Sequence, residues 1–513
     1  MSLAIDFDRF RLRRFVAHLI DLGEVEVHPE PVPLIDLSRL IEATDKATLF
    51  SDAGPDHLEL VAAVSGSRRR VAAAFGTDVR DVSREYLRRL STPQSIVEIP
   101  SADAPVHEVI ETGDHVDLGR LPFFLQHELD GGPYISSAID FSVDPATSRR
   151  NVGCRRLMLR DERTLTSNLT QQSDLREIYR GCVERQQPLR VNFVIGAHPL
   201  DFLAATLRVK SDDEVCLVAA LRGQPLPVVR GVTNDLFVPA DAELVIEGYF
   251  DAEGWRVLDG PYGEWWGFYG PTHPDPLFHV TAITRRRDVL HQSVLHGTRH
   301  LENCDANGAA NVSVEADVRR VLRAAGIEPS AVYHVSSSPS GTQVRVALER
   351  GKPGQARAAI AELFAIPIIK HVTVVDDDID VYSDAEVSWA QTTRLRPDRD
   401  VVIESGFPGR VGLDHTAAED GTISKIGFDA TLPADAPSDI EHRRPAPPRL
   451  SESQAQRYAS VREALERGPR FFVQLMDDLG STDGREVALE LERLRAEGLV
   501  DRLRDGEWRL SGD

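Results

Sequence analysis

Apolar positions along this chain follow two rhythms. From Phe7 to about Pro100 they recur at helical spacing. In FDRFRLRRFVAHLIDLG, Leu12, Phe15, Leu19 and Leu22 share one face, and SRLIEAT and VSREYLRRL repeat the habit. This predicts an N-terminal α/β domain over residues 1–104. From about Pro105 to Arg299 the rhythm shortens to alternating or β-branched runs, YISSAIDFSV, LRVNFVIG, AELVIEGYF and LFHVTAITRRRDVLHQSVL, punctuated by Gly, Pro and Asn/Asp. A β-barrel domain over 105–310 is the expectation. A helix (VEADVRRVLRAAG), two strands (AVYHVSSS, QVRVALE), a helix (GQARAAIAELFA) and a strand (IIKHVTVVDD) then predict a small α/β domain over 311–435. The fold class is therefore α+β and multidomain.

Five prolines between Pro433 and Pro448 predict an extended linker, because each lacks an N–H donor and fixes φ. Beyond it, SQAQRYASVREALERG, FFVQLMDDLG, GREVALELERLRAEGLV and RLRDGEWRLS read as three helices and a hairpin, a winged-helix-like extension within 436–513. From Leu450 onward that extension carries 14 acidic and 10 basic side chains. A net negative unit lacks the footprint of DNA binding, so packing or oligomerisation is the favoured role.

The 513 residues suit about three domains, and 42% hydrophobic with 27% charged residues is an ordinary globular composition. The net charge of −22 argues against nucleic acid and anionic lipid as partners, since both require clustered Lys/Arg. Cys154, Cys182, Cys216 and Cys304 are far apart and form no C-x-x-C pair, which suggests a reducing compartment. The N-terminal stretch lacks the apolar core of a signal peptide, and no run approaches a membrane span, so a cytoplasmic protein is expected.

Dinucleotide, P-loop, zincin and nucleophile-elbow signatures are missing from the sequence. His291, His296 and His300 fit neither a strand nor a helix face cleanly, and read as satisfied or pocket-lining histidines. The densest chemistry is LDGPYGEWWGFYG, where Asp259 and Glu264 flank a turn followed by Trp265, Trp266 and Phe268. A carboxyl group against apolar rings loses hydration and becomes a proton donor near neutral pH; a decorated β-turn with core aromatics is the other reading. RRNVGCRRLMLRD carries Asn151 and Arg156, and KSDDEVCLVAALRG carries Glu214. An amide oxygen and a carboxylate suit Mg2+ or Mn2+, and an arginine suits a carboxylate. DDDIDVYSDAEVSWA imitates a calcium loop but reads better as a strand end feeding a helix.

Five of these segments occur in an order that resembles the UbiD family of decarboxylases: N-V-G-x-x-R at Asn151–Arg156, P-L-R-V-N-F-V-I-G-A-H-P at Pro188–Pro199, N-D-L-x-V-P-A-D-A-E at Asn234–Glu243, D-G-P-Y-G-E at Asp259–Glu264, and I-P-I-I-K-H-V-T-V-V-D-D-D-I-D-V at Ile366–Val381. The resemblance covers roughly residues 5 to 435. It implies a prenylated FMN, a divalent metal (Mn2+, or Mg2+), a nearby K+, a flavin prenyltransferase as supplier, and a split-barrel flavin domain followed by an α/β dimerisation domain. It matches Asn151 and Glu214 to metal ligands and Lys425, in SKIGFDATLP, to a lysine near the cofactor phosphate. The third ligand, a histidine in the family, falls on Asp174, with Gln172 or Ser173 if the register slips. Arg156 and Glu264 match an arginine and a proton-donating glutamate. Asp259 stands where the family has a second glutamate, one methylene longer.

The implied reaction is reversible decarboxylation of an aromatic, heteroaromatic or polycyclic (for example phenazine-type) carboxylic acid by a homodimer or higher oligomer. Gly308, Ala309 and Ala310 would leave room for a large ring if they lined the pocket. A non-catalytic flavin or ligand binder and a split-barrel flavin reductase are the alternatives.

Overall fold

The computed structural model describes residues 5–170, 172–207, 213–339, 341–350, 352–409, 412–436, 445–451 and 456–512. They form two compact units, 1–431 and 432–513.

In the first unit, Leu12–Asp21 forms a helix with Leu12, Phe15 and Leu19 buried. Leu22, expected on that face, is instead the exposed C-cap, one residue past the helix end. Strands Val25–His28, Ala47–Ala53 and Leu58–Ala62 make a sheet completed by His291–Ser293, which pairs in parallel with Leu58–Ala62. That last segment had read as part of the barrel run. It leaves the barrel because Leu290 packs with Leu12, Phe15 and Leu19, and Leu295 with Phe50 and Leu60.

The centre is a closed antiparallel barrel of six strands, in the order Tyr134–Val143, Arg150–Leu159, Thr164–Ser167, Leu277–Arg285, Leu244–Phe250, Leu189–Ile195 and back to Tyr134–Val143. Closure removes sheet edges, which would otherwise expose unpaired N–H and C=O groups. One face of these strands packs Leu157, Phe193, Ile246, Phe250 and Phe278 together; the other packs Val152, Val194 and Val245 against the helices Pro199–Ala205 and Glu214–Arg222. Leu189–Ile195 and Leu244–Phe250 are buried on both faces along nearly their whole length, which is why these two strands read as nearly continuous apolar runs.

Helix Asp305–Ala324 leads into a five-stranded sheet ordered Pro329–His334, Gln343–Leu348, His371–Asp376, Thr422–Asp429, Val401–Pro408. Gln343–Leu348 and His371–Asp376 are parallel and joined through helix Gln355–Phe364, the predicted βαβ unit. The imitation calcium loop is a strand end followed by helix Asp384–Thr393, N-capped by Ser383.

In the second unit, helices Val461–Leu465, Phe472–Leu479 and Arg485–Ala496 and the hairpin Val500–Arg502/Trp508–Leu510 share a core of Leu465, Leu475, Leu491 and Trp508. Much of the proline-rich linker (437–444) and residues 453–455 of the first predicted helix lie outside the described residues, as do 210–212 of the segment preceding Glu214. Among the described residues no helix is long and apolar enough to cross a membrane, and all four cysteines are free thiols.

Candidate active site

The D-G-P-Y-G-E segment builds two short ribbons. Strand Val257–Asp259 pairs antiparallel with His273–Asp275, setting Asp259 opposite His273. Further along, Tyr262–Gly263 pairs with Tyr269–Gly270. The tip between them is closed by the Glu264 N–H donating to Phe268 O at 2.9 Å and the Gly267 N–H donating to Glu264 O at 2.9 Å. Gly260 sits at φ +86° in the link, and a Cβ there would lie 3.0 Å from Pro271 O, so the turn needs glycine.

Arg156 reaches this turn from the barrel strand Arg150–Leu159. Nη1 donates to Glu264 Oε1, and Nη2 donates to Asp259 Oδ1 at 3.2 Å. The guanidinium lies 4.5 Å from the Tyr262 ring centroid and 5.8 Å from that of Tyr134. Burial opposes its charge, but the carboxylates of Glu264 and Asp259 outweigh that penalty and hold its pKa above the ordinary value.

Asp259 is wholly buried and heavily bonded: Thr166 Oγ1 donates to it at 2.6 Å and Tyr134 OH at 3.1 Å, while Tyr134 OH itself accepts the Gly260 N–H at 3.1 Å. The shorter aspartate therefore keeps its arginine contact. Glu264 retains 14% side-chain exposure and is held by one cation. One carboxylate is fixed and the other is reachable. Thr166, Tyr134 and His273, which lies 3.4 Å from Arg156 Nη2, escaped sequence reasoning. Only the alternation of T-L-T-S and H-P-D hinted at Thr166 and His273, and Tyr134 opens the strand read in YISSAIDFSV.

Asn151, five residues before Arg156, sits roughly 16 Å back along the same strand. Its Nδ2 donates to Asp140 Oδ2 at 2.7 Å, which commits the nitrogen and leaves the amide oxygen as the donor atom for a cation. Glu214 opens helix Glu214–Arg222, behind the N-cap Asp213, and its Oε2 accepts the Val152 N–H at 2.8 Å. Burial pushes its pKa up to about 7, and the charges of Asp174 and Asp140 add to the push. Asp140 is pushed up to about 6, again by burial. Asp174 opens helix Asp174–Glu184, half exposed and 2.8 Å from Arg149 Nη1. Ser173 spends its hydroxyl capping that helix by accepting the Arg176 N–H, and Gln172 is exposed.

Asn151, Glu214 and Asp174 thus fall in one electrostatic neighbourhood. An amide oxygen with two carboxylates is a hard-oxygen set that fits Mn2+ or Mg2+, and the repulsion that Asp174 and Asp140 exert on the Glu214 carboxylate is what a cation would relieve. Among the described residues no three His, Cys, Asp or Glu gather for a metal, so the set depends on the asparagine.

Lys425 is not brought to this group. Its Nζ donates to Phe364 O at 2.8 Å and Ile366 O at 2.6 Å, tying down the end of helix Gln355–Phe364. The resemblance implies a phosphate contact; here the side chain turns onto these two carbonyls, and burial lowers its pKa to about 8.

Gly308 does not open a pocket: a Cβ there would meet Ser65 O at 1.9 Å, and Ala309 is core. His291 and His296 lie beside the carbonyls of Glu59 and Ser136, and burial lowers both to about 4. His300 is surface-exposed, so the three do not form a metal set. Trp265 and Trp266 meet edge to face at 5.3 Å with Trp266 buried, while the exposed Phe268 ring lies 4.3 Å from that of His415.

Residues 97–299 match the model for the 3-octaprenyl-4-hydroxybenzoate carboxy-lyase Rift-related domain, and 309–430 match that for the C-terminal domain of the same carboxy-lyases. The chain is 30% identical over 425 residues to an anhydromevalonate phosphate decarboxylase of Methanosarcina mazei, spanning 82% of this chain and 95% of the relative. Its fold matches the UbiD-class enzyme HmfF of Pelotomaculum thermopropionicum, solved in complex with FMN, at TM-score 0.78 and 30% identity over 85% of this chain and 97% of that one. It also matches the vanillic acid decarboxylase of Sedimentibacter hydroxybenzoicus at TM-score 0.78 and 26% identity, over 86% and 97% of the two chains. A six-stranded barrel carrying a carboxylate–arginine–carboxylate device, with matches of this extent, defines a carboxy-lyase. The chain belongs to the UbiD family.

Proposed function

We propose that this protein catalyses the reversible, non-oxidative decarboxylation of an aromatic, heteroaromatic or polycyclic carboxylic acid, with Glu264 as proton donor and prenylated FMN as cofactor. The observation that carries the reading is Glu264 and Asp259 on either side of Arg156, the first reachable and the second fixed. FMN and prenylated FMN in UbiD-class relatives support the cofactor. When bound, that flavin supplies the electron sink which an sp2 carbon losing CO2 lacks.

Asn151, Glu214 and Asp174 would hold the divalent metal at the cofactor's phosphate end, with K+ nearby as the resemblance implies; Lys425 is left out of this set. Arg156 orients the substrate carboxylate and Glu264 together. Asp259, fixed by Thr166 and Tyr134, keeps Arg156 in place when Glu264 gives up its proton. Trp266 and the neighbouring aromatics exclude water and offer a flat wall to a planar acid. The resemblance further supports a homodimer, loaded by a flavin prenyltransferase in the cytoplasm.

The test is CO2 release from a panel of aromatic, heteroaromatic and polycyclic acids, with a non-aromatic unsaturated acid as control, using protein co-produced with a flavin prenyltransferase. Glu264→Gln should lose about 100- to 10,000-fold in turnover while keeping the flavin absorption band. Full turnover by that variant removes the proton donor. Turnover of the non-aromatic acid alone removes the aromatic substrate class, and a protein without any flavin band is a binder of something else.

A further inference from the structure

Arg156 presents five N–H donors, and Glu264 and Asp259 accept from its two terminal nitrogens. A third neighbour is His273, whose Nε2 lies 3.4 Å from Nη2. Because an arginine only donates, that imidazole nitrogen must be the unprotonated acceptor, and the ring proton then belongs on Nδ1. Asp275 Oδ2 lies 3.0 Å from Nδ1, close but off-axis, and its other oxygen accepts the Leu169 N–H at 2.8 Å. The register explains the convergence. His273 stands directly across the ribbon from Asp259, and Asp275, two residues on, falls on the same face. Asp275 is wholly buried and His273 retains 18% side-chain exposure.

We propose that His273 and Asp275 form a positioning pair for the proton-delivery arginine: Asp275 holds His273 as the neutral Nδ1–H tautomer, and Nε2 accepts from Arg156, fixing the guanidinium that aims Glu264. This rests on Glu264 being the proton donor. Asp259 alone cannot set the guanidinium's rotation, since it shares only one Arg156 nitrogen and divides its oxygens among Thr166 and Tyr134 as well. A neutral acceptor adds a second anchor without adding a negative charge that would compete with Glu264 for the arginine.

The test combines nitrogen-15 imidazole NMR of the full-length protein with kinetics of the flavin-loaded enzyme. The wild-type His273 resonance should show a protonated Nδ1 and a bare, hydrogen-bonded Nε2 near pH 7.5; a protonated Nε2 overturns the proposal whatever the kinetics. His273→Leu should lower kcat between about tenfold and a hundredfold, the range for a lost hydrogen bond to a charged group, with KM changed by less than about threefold. His273→Gln, whose amide oxygen replaces Nε2, should restore most of kcat. Melting curves and flavin content confirm that each variant is folded and loaded. Full kcat in His273→Leu, or equal losses in the Leu and Gln variants, sinks the pair. Full turnover in Glu264→Gln sinks the proton-donor reading instead, leaving the NMR result to judge the tautomer separately.

Discussion

At Glu214 a single half-buried carboxylate couples folding, proton binding and metal. Its pKa rises from 4.5 to about 7, burial being the main cause and Asp174 and Asp140 contributing. Between those two values the metal-free folded protein holds a proton that the unfolded chain has released. Its contribution to stability is therefore largest below about pH 4.5 and declines as pH rises through about 7. A divalent cation reverses the sign, because it binds the ionised form and must displace the proton. Mn2+ binding to the cofactor-free protein at pH 6 should thus release close to one proton and tighten as pH rises, levelling above about pH 7. Calorimetry in two buffers of different ionisation enthalpy measures that proton. Buffer-independent heats at pH 6 would remove Glu214 from the metal set, and Glu214→Gln should abolish both the binding and the release.

The acid ribbon is the element on which chemistry depends, and its shape follows from one glycine. At Gly260 an alanine meets two costs at once, a left-handed φ of +86° and a contact of 3.0 Å to Pro271 O. The strain, about 1–2 kcal/mol, is paid by tilting the tip that carries Glu264. Gly260→Ala should therefore lower kcat by tenfold or more while the barrel, which meets this link through the Tyr134 hydroxyl that accepts the Gly260 N–H, keeps its melting profile to within a few degrees. Equal losses of stability and activity would mean that the ribbon is part of the folding core. The strands and helices themselves were legible, since YISSAIDFSV, LRVNFVIG and GQARAAIAELFA carry their periods openly. Arg156, Asp259 and Glu264 were legible as a string because they stand in compact motifs. His273, Asp275 and Thr166 were not, because they reach the site through cross-strand register and tertiary closure, which no local window contains. Lys425, matched by resemblance to a phosphate contact, and Gly308, conditional on lining the pocket, are both engaged in packing here, the lysine on two helix-end carbonyls and the glycine on the Ser65 backbone.

For the whole molecule, the question is whether residues 432–513 share in the catalytic unit's stability. That segment has its own core, built from Val461, Leu465, Leu475, Val487, Leu491, Leu494, Val500 and Trp508. Its hairpin closes onto the preceding loop through reciprocal Arg470 and Trp508 backbone hydrogen bonds of 2.9 and 2.8 Å. A fold of about this size buries a smaller fraction of its surface than a large one, so its margin is a few kcal/mol and it should melt first. Residues 1–431 contain the barrel, the acid ribbon, Arg156, Glu214 and the five-stranded sheet, that is, every group assigned a part in the reaction. Calorimetry of the full chain should accordingly show two transitions, and a chain ending at Thr431 should lose only the lower one, with the upper Tm unchanged within about 2 °C and decarboxylation retained per bound flavin. If truncation instead lowers the upper transition or the flavin content, the extension is a working part of the catalytic unit, and its negative charge and exposed Leu489 become the place to look for how it acts.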